Sequence, residues 1–126
     1  MPTLDELKTK AAAADELFMT TTRATGHATY PLWFVHDGQR LYILSAESSS
    51  EVWDVKRDPK VDVAIGAPGS ADHLAMQADV MPDPAWVPQM VDLLKKKYGT
   101  KHADRMARTA ESAKGGHVVI KLKPLG

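Results

Sequence analysis

The sequence predicts a mainly β (α+β) domain: a six-stranded antiparallel β-barrel with flanking helices packed outside it. Three observations carry that expectation. Short runs of β-branched, aromatic and alternating apolar residues recur between turn signals. Asp37-Gly38 separates two of these runs, a strong hairpin signal. Helical spacing is confined to the first residues, a short stretch after Ser48–Ser50 and the region after Asp83.

Taken in order, Thr3 and Glu6 form a capping box, and Leu4, Leu7, Ala11 and Ala14 share one face of a helix over about 3–15. Leu17–Arg23 (LFMTTTR) reads as the first strand. After a turn at Gly26, Ala28–Gly38 gives the second. Tyr30, Leu32 and Phe34 lie on one of its faces and Pro31, Trp33 and Val35 on the other, so neither face is plainly solvated. Pro31 has no N–H for a ladder and calls for a sheet edge or a bulge. Arg40–Ala46 is the third strand. A serine among Ser48–Ser50 is expected to cap a short helix with Val52, Trp53 and Val55 turned inward, stopped by Asp58-Pro59. Val61, Val63 and Ile65 alternate in a fourth strand. After a loop over 67–72, Leu74, Met76 and Ala78 alternate in a fifth, His73–Met81.

Asp83-Pro84 supplies an N-cap and an N1 proline. Trp86, Met90, Leu93, Leu94 and Tyr98 then follow at helical spacing up to Gly99, with the main helix expected to restart at Pro88. A weaker helix over about 100–114 places Ala103, Met106, Ala107 and Ala110 on one side, and Gly115-Gly116 ends it. His117–Lys123 closes the set as the sixth strand.

The chain of 126 residues suits a single domain with a real core, residues 1–126. Lys+Arg 16 balances Asp+Glu 16, so no basic excess points to nucleic acid. The absence of cysteine excludes disulfides, thiolate metal sites and cysteine nucleophiles. No signal-peptide pattern and no membrane-length apolar run is visible, which makes a cytoplasmic protein the default expectation. The five histidines show no i+4 pair or H-E-x-x-H, and no metal site is expected. G-x-S-x-G, P-loop and G-x-G-x-x-G motifs are missing too, leaving hydrolase and kinase chemistry without support. The basic clusters KRDPK and LLKKKYG read as solvated helix ends, favoured by the helix dipole. Trp33, Trp53 and Trp86 suit a core or an interface, and an aromatic on a barrel strand can also wall a flat ring.

The order of elements resembles the pyridoxamine 5'-phosphate oxidase-like family, the FMN-binding split β-barrels that include deazaflavin (F420)-dependent oxidoreductases. The resemblance rests on Thr22–Gly26, Leu32-Trp33-Phe34, Asp37-Gly38, Leu41–Ser45, Ser49-Ser50-Glu51, Val52–Val55, Asp58-Pro59 and Val61–Ile65. LAMQADVMPD and LLKKKYG extend it over about Leu17–Leu122. Its motifs are individually loose, and the specificity lies in their order. It implies a homodimer with FMN, or alternatively F420, in a groove between two barrels. The phosphate would sit at the loop and helix start after the third strand, against Ser45, Ser49, Ser50 and Glu51. The ring would lie near Trp33 and Tyr42, with His73 as a polar contact. A helix N-terminus with nearby hydroxyls suits a phosphate on physical grounds as well.

One residue departs from the pattern. The family usually carries a lysine two residues after the loop serine, where this chain has Glu51. A carboxylate there repels a phosphate and removes a charge-assisted bond. Arg23, Lys56 or Arg57 are the candidates to supply the missing charge, Arg23 being equally readable as an exposed strand end. Three functions therefore stand side by side: a flavin- or deazaflavin-dependent oxidoreductase acting on a small molecule, a non-catalytic dimeric barrel binding flavin or haem, and a cofactor-less scaffold.

Overall fold

The computed structural model describes residues 16–23, 26–37, 40–66, 73–81, 83, 85–112 and 116–124. The helix expected over 3–15 and the loop over 67–72 lie outside them. Within the described residues one antiparallel sheet contains β1 (Leu17–Arg23), β2 (Gly26–Leu32), β3 (Val35–Asp37), β4 (Arg40–Ala46), β5 (Lys60–Ile65), β6 (His73–Met81) and β7 (His117–Pro124). Helices α1 (Ser50–Arg57), α2 (Trp86–Tyr98) and α3 (Ala103–Ser112) join or flank them. The strand order is β2-β1-β5-β6-β7-β4-β3, so the sheet has seven strands where six were expected.

The additional strand comes from a break in the predicted second strand. Residues up to Leu32 pair with β1, and residues from Val35 pair with β4, leaving Trp33 and Phe34 between two ladders. β2 and β3 are the two edges of the sheet, yet only two residues join them. A sheet whose edges are one continuous segment must curl until they meet, and this makes it a split barrel. Pro31 sits on edge strand β2, which pairs only with β1, where its missing N–H costs no ladder bond.

The faces alternate across the break as the sequence predicts. Phe34 enters the barrel core with Leu41, Ile43, Val63, Met76 and Ile120, and Leu32 packs against that core. Trp33 and Val35 turn outward, into a second core under α2 with Met90, Leu94, Tyr98 and Val119. The peptide of Phe34 has left both ladders, and the residue is fully buried. Tyr98 satisfies it from outside the sheet: its hydroxyl accepts the Phe34 N–H at 3.1 Å and donates to the Phe34 carbonyl at 3.0 Å. The Lys97 ammonium donates to the same carbonyl at 3.1 Å and sits 3.5 Å from the centre of the Phe34 ring.

The helices differ from expectation in detail. In α1, Val52 and Val55 are buried as predicted, but Trp53 is 68% exposed and Asp54 is buried in its place. At 100° per residue, Val52 and Val55 share a face that Trp53 does not. α2 does not restart at Pro88. That proline is the third residue of a continuous helix, where the missing N–H is one the first turn leaves unbonded anyway. Asp83 still caps the approach, its side chain accepting the Ala85 N–H at 2.9 Å. In α3 only Met106 of the predicted apolar side is buried, while Ala103 and Ala107 are exposed and the side chain of Ala110 lies outside the description.

Tyr98→Phe removes the one group that meets both polar atoms of the buried Phe34 peptide. It should lower stability by about 1–3 kcal/mol, read as a reduced urea midpoint at unchanged m-value.

Candidate functional site

The segment after β4 is a tight connection into α1. The carbonyl of Ala46 accepts both the Ser49 N–H at 3.0 Å and the Ser49 hydroxyl at 2.6 Å, and the Glu47 N–H bonds Gly116 at 2.7 Å. Ser49 occupies the N-cap in extended backbone, but its hydroxyl is spent on Ala46 and makes no cap bond. This corrects the expectation of a serine side-chain cap. The first helical bond runs from Trp53 to the Ser49 carbonyl. The amides of Ser50, Glu51 and Val52 accordingly have no hydrogen-bond partner among the described residues. They stand at the positive end of the helix dipole. Ser50 is exposed and Glu51 half-buried in that first turn.

Four residues upstream of Ser49, Ser45 points into the barrel. It is buried, and its Oγ has no hydrogen-bond partner in the structure. Buried hydroxyls are ordinarily satisfied, so this orphan, on the same face of β4 as the core residues Leu41 and Ile43, is an exception. The open amides and the exposed Ser50 hydroxyl are donors of the kind that suits a phosphate, with the Glu51 carboxylate in the same turn opposing it.

The other expected residues lie elsewhere. The backbone of Arg23 ends β1 beside the last turn of α1, where Arg57 donates to the Thr22 carbonyl at 3.1 Å. Lys56 and Arg57 occupy that same last turn. An eight-residue helix is about 12 Å long, so these positions stand at the end opposite the open amides. His73 opens β6 and bonds through Nδ1 to Asp62 Oδ1 at 3.0 Å, a half-exposed pair on the adjacent strand. Ser45 lies at the level of the far end of β6, because Met81 pairs with Val119 and Val119 with Leu44. About 25 Å of strand separates that level from His73.

Trp33 stacks on Tyr98 with centroids 4.2 Å apart and planes at 3°. The Arg105 guanidinium lies 4.2 Å from the same indole centre. Two groups cannot share one face at that distance, so both faces of the indole are covered and neither is open to a ligand ring. Tyr42 is half-buried under α2 beside Trp86 and Leu93. Ser49, Ser50 and Glu51 thus share the start of α1, with Ser45 four residues upstream on β4, and Trp33, Tyr42, His73 and the Arg23 backbone lie apart from them.

Sequence reasoning missed the group that holds α1 in place. The Asp54 carboxylate is buried, and its Oδ2 accepts the Thr21 hydroxyl at 2.8 Å and the Tyr30 hydroxyl at 2.7 Å. Arg57 approaches Oδ1 at 4.0 Å. The available signal was an acid placed between Val52 and Val55 on a helix packing against a strand rich in threonine.

The sequence profile of the pyridoxamine 5'-phosphate oxidase family matches residues 4–126, and the chain belongs to that family. A search of curated protein sequences gave no match. Solved structures with the same fold include an F420 reductase, at 19% identity and TM-score 0.66 over 94% of this chain and 93% of that one. A FAD-binding protein from Mesorhizobium loti aligns at 12% identity and TM-score 0.69, covering 100% and 91% of the two chains. The heme storage protein HutZ from Vibrio cholerae aligns at 14% identity and TM-score 0.70, covering 100% and 92%. At such identities these likenesses concern the fold.

Among the described residues no three histidine or acidic side chains cluster as a metal site, and no helix is long and apolar enough to cross a membrane.

Asp54→Ala removes the acceptor shared by the buried Thr21 hydroxyl and the half-buried Tyr30 hydroxyl and should destabilise by about 2–4 kcal/mol, whereas exposed Trp53→Ala should stay within about 0.5 kcal/mol. Paired denaturation curves check the contrast.

Proposed function

We propose that the protein is an oxidoreductase using FMN, or alternatively the deazaflavin F420, with a small-molecule substrate. It works as a homodimer, the cofactor lying between two barrels with its phosphate at the N-terminus of α1. One observation carries this reading: three unpartnered amides at the positive end of α1, in the loop where the family resemblance puts the phosphate. The N–H groups of Ser50, Glu51 and Val52 would hold the phosphate, with the Ser50 hydroxyl as a further donor. The flavin supplies the hydride or electron-transfer chemistry when bound. The chain's own part is to bind, orient and shield it, and no side chain is assigned as acid or base.

Glu51 supports a second reading, a barrel that holds flavin or haem without turnover or has lost its cofactor. Its carboxylate competes with a phosphate for the same helix end. Flavin absorbance of the purified protein, separate fluorescence titrations with FMN and F420, and a nicotinamide-donor turnover assay divide these readings. Binding with turnover is expected. Binding without turnover selects the non-catalytic holder, and no binding of either cofactor leaves the scaffold.

Glu51→Lys exchanges a repulsive charge for an attractive one. It should tighten FMN by about tenfold or more at roughly 1.4 kcal/mol per decade, and unchanged affinity would place the phosphate elsewhere.

A further inference from the structure

The ladder between β1 and β5 stops before either strand does. Its last pair is Thr20–Asp62, although β1 runs on to Arg23 and β5 begins at Lys60. On the inner side of this gap the Asp54 carboxylate of α1 accepts the Thr21 hydroxyl. Thr20 and Thr22 therefore face outward. Outside the gap lies a basin of about 280 Å³, whose lining includes Thr20, Thr22, His27, Lys60, Asp62 and Ala75. Register and alternation put these side chains on one face of the sheet: Thr20 stands opposite Asp62, Asp62 opposite Ala75, and Thr22 opposite His27. Ala75 contributes only a methyl group, which leaves room beside Asp62. The volume suits a ligand of a few heavy atoms, just below the range of drug-sized sites.

The charged groups of this basin do not neutralise one another. The Lys60 backbone N–H goes to Asp58 Oδ1 at 3.1 Å, but its ammonium has no hydrogen bond or ion pair among the described residues. The His27 ring and the Thr22 hydroxyl have none either. Asp62 engages His73 Nδ1 through Oδ1 at 3.0 Å, and its Oδ2 has no partner among the described residues. Thr20 is already satisfied by the Thr29 hydroxyl at 2.9 Å. A cationic and an anionic group thus stand two residues apart on one face of β5, roughly 6.6 Å between Cα atoms. A plain anion at Lys60 is opposed by Asp62, and a plain cation at Asp62 is opposed by Lys60. A ligand that carries both charges is complementary to both. Three methylenes between ammonium and carboxylate hold the charges roughly 5 Å apart when extended, comparable to that spacing, whereas an α-amino acid holds them at roughly 2.5 Å.

We propose that this basin binds a short linear zwitterion of the ω-amino acid type, its carboxylate at Lys60, Thr22 and His27 and its ammonium at Asp62 Oδ2. The site shares no residue with Ser49–Glu51. It does not depend on the flavin reading, and it is tested without cofactor.

The probe is 4-aminobutyrate, titrated into the full chain and followed by amide and histidine-ring NMR shifts. Two analogues that each lack one charge, butyrate and butylamine, and the variants Lys60→Gln and Asp62→Asn are run alongside. Lys60 is exposed and the Asp62 side chain is 46% exposed, so both variants should keep the fold, which the same spectra report. Saturable binding in the low-millimolar range is expected, with shifts centred on Thr22, His27 and Ala75. Each variant should bind 4-aminobutyrate about fivefold more weakly, and wild type should bind each analogue about fivefold more weakly. The proposal stands if all four comparisons show a loss of at least about threefold. Any other outcome, including no saturable binding or equal affinity for butyrate, overturns it.

Discussion

The hydroxyl of Tyr98 against the peptide of Phe34 is the contact on which this architecture turns. A barrel closed by bending one strand from edge to edge needs a corner, and at the corner the backbone leaves both ladders. Here the corner is fully buried, so the N–H and C=O of Phe34 cannot turn to water. A phenol both donates and accepts, and one Tyr98 side chain meets both needs at 3.1 and 3.0 Å. Closure of the sheet and docking of α2 are therefore one event. A sheet that slipped by one residue at β3 would present Val35 to that hydroxyl and turn Trp33 into the barrel.

The same corner explains the division of the core. Phe34 points in and Trp33 points out, so consecutive residues anchor two different apolar clusters. Tyr98 bonds the first and stacks on the second at 4.2 Å. α1 is fixed by separate means, through Asp54 and two hydroxyls from β1 and β2. The Asp54 contacts lie in the middle and last turns of α1, and the first turn is left with open amides and no side-chain cap. A helix pinned by its later turns can present a rigid, unsatisfied N-terminus, which is the electrostatic requirement for holding an anion.

Much of this was legible from the sequence. Period-2 alternation, Asp37-Gly38 and Asp58-Pro59 predicted β4, β5, β6 and β7 nearly to the residue, because these strands bury one clear face and end at turn residues. The corner was not legible. Tyr30–Val35 alternates without interruption, and what divides it is a tyrosine more than sixty positions later, which no local pattern records. Trp53 was misplaced for a related reason: hydrophobicity suggested burial, but the buried position went to an aspartate whose partners come from two other strands. Of the candidate site, Ser49, Ser50 and Glu51 are consecutive in sequence and so lie together at the start of α1 whatever their role. Trp33, Tyr42 and His73 were placed by resemblance, and their positions follow from register and helix docking, which distribute them over the sheet.

Glu51 carries the remaining tension. An acid in the first turn of a helix is stabilising in itself, since it meets the positive dipole end and compensates amides that have no cap. A bound phosphate would draw on the same field from the same side. The two are alternatives for one electrostatic resource, and the helix is well suited to either. What the carboxylate gives to α1 in the absence of a ligand it takes from the binding free energy of an anion, so the residue sets how tightly this end of the barrel can hold one. The cations of α1, Lys56 and Arg57, cannot relieve the conflict, because they complement the negative end of the same dipole about 12 Å away.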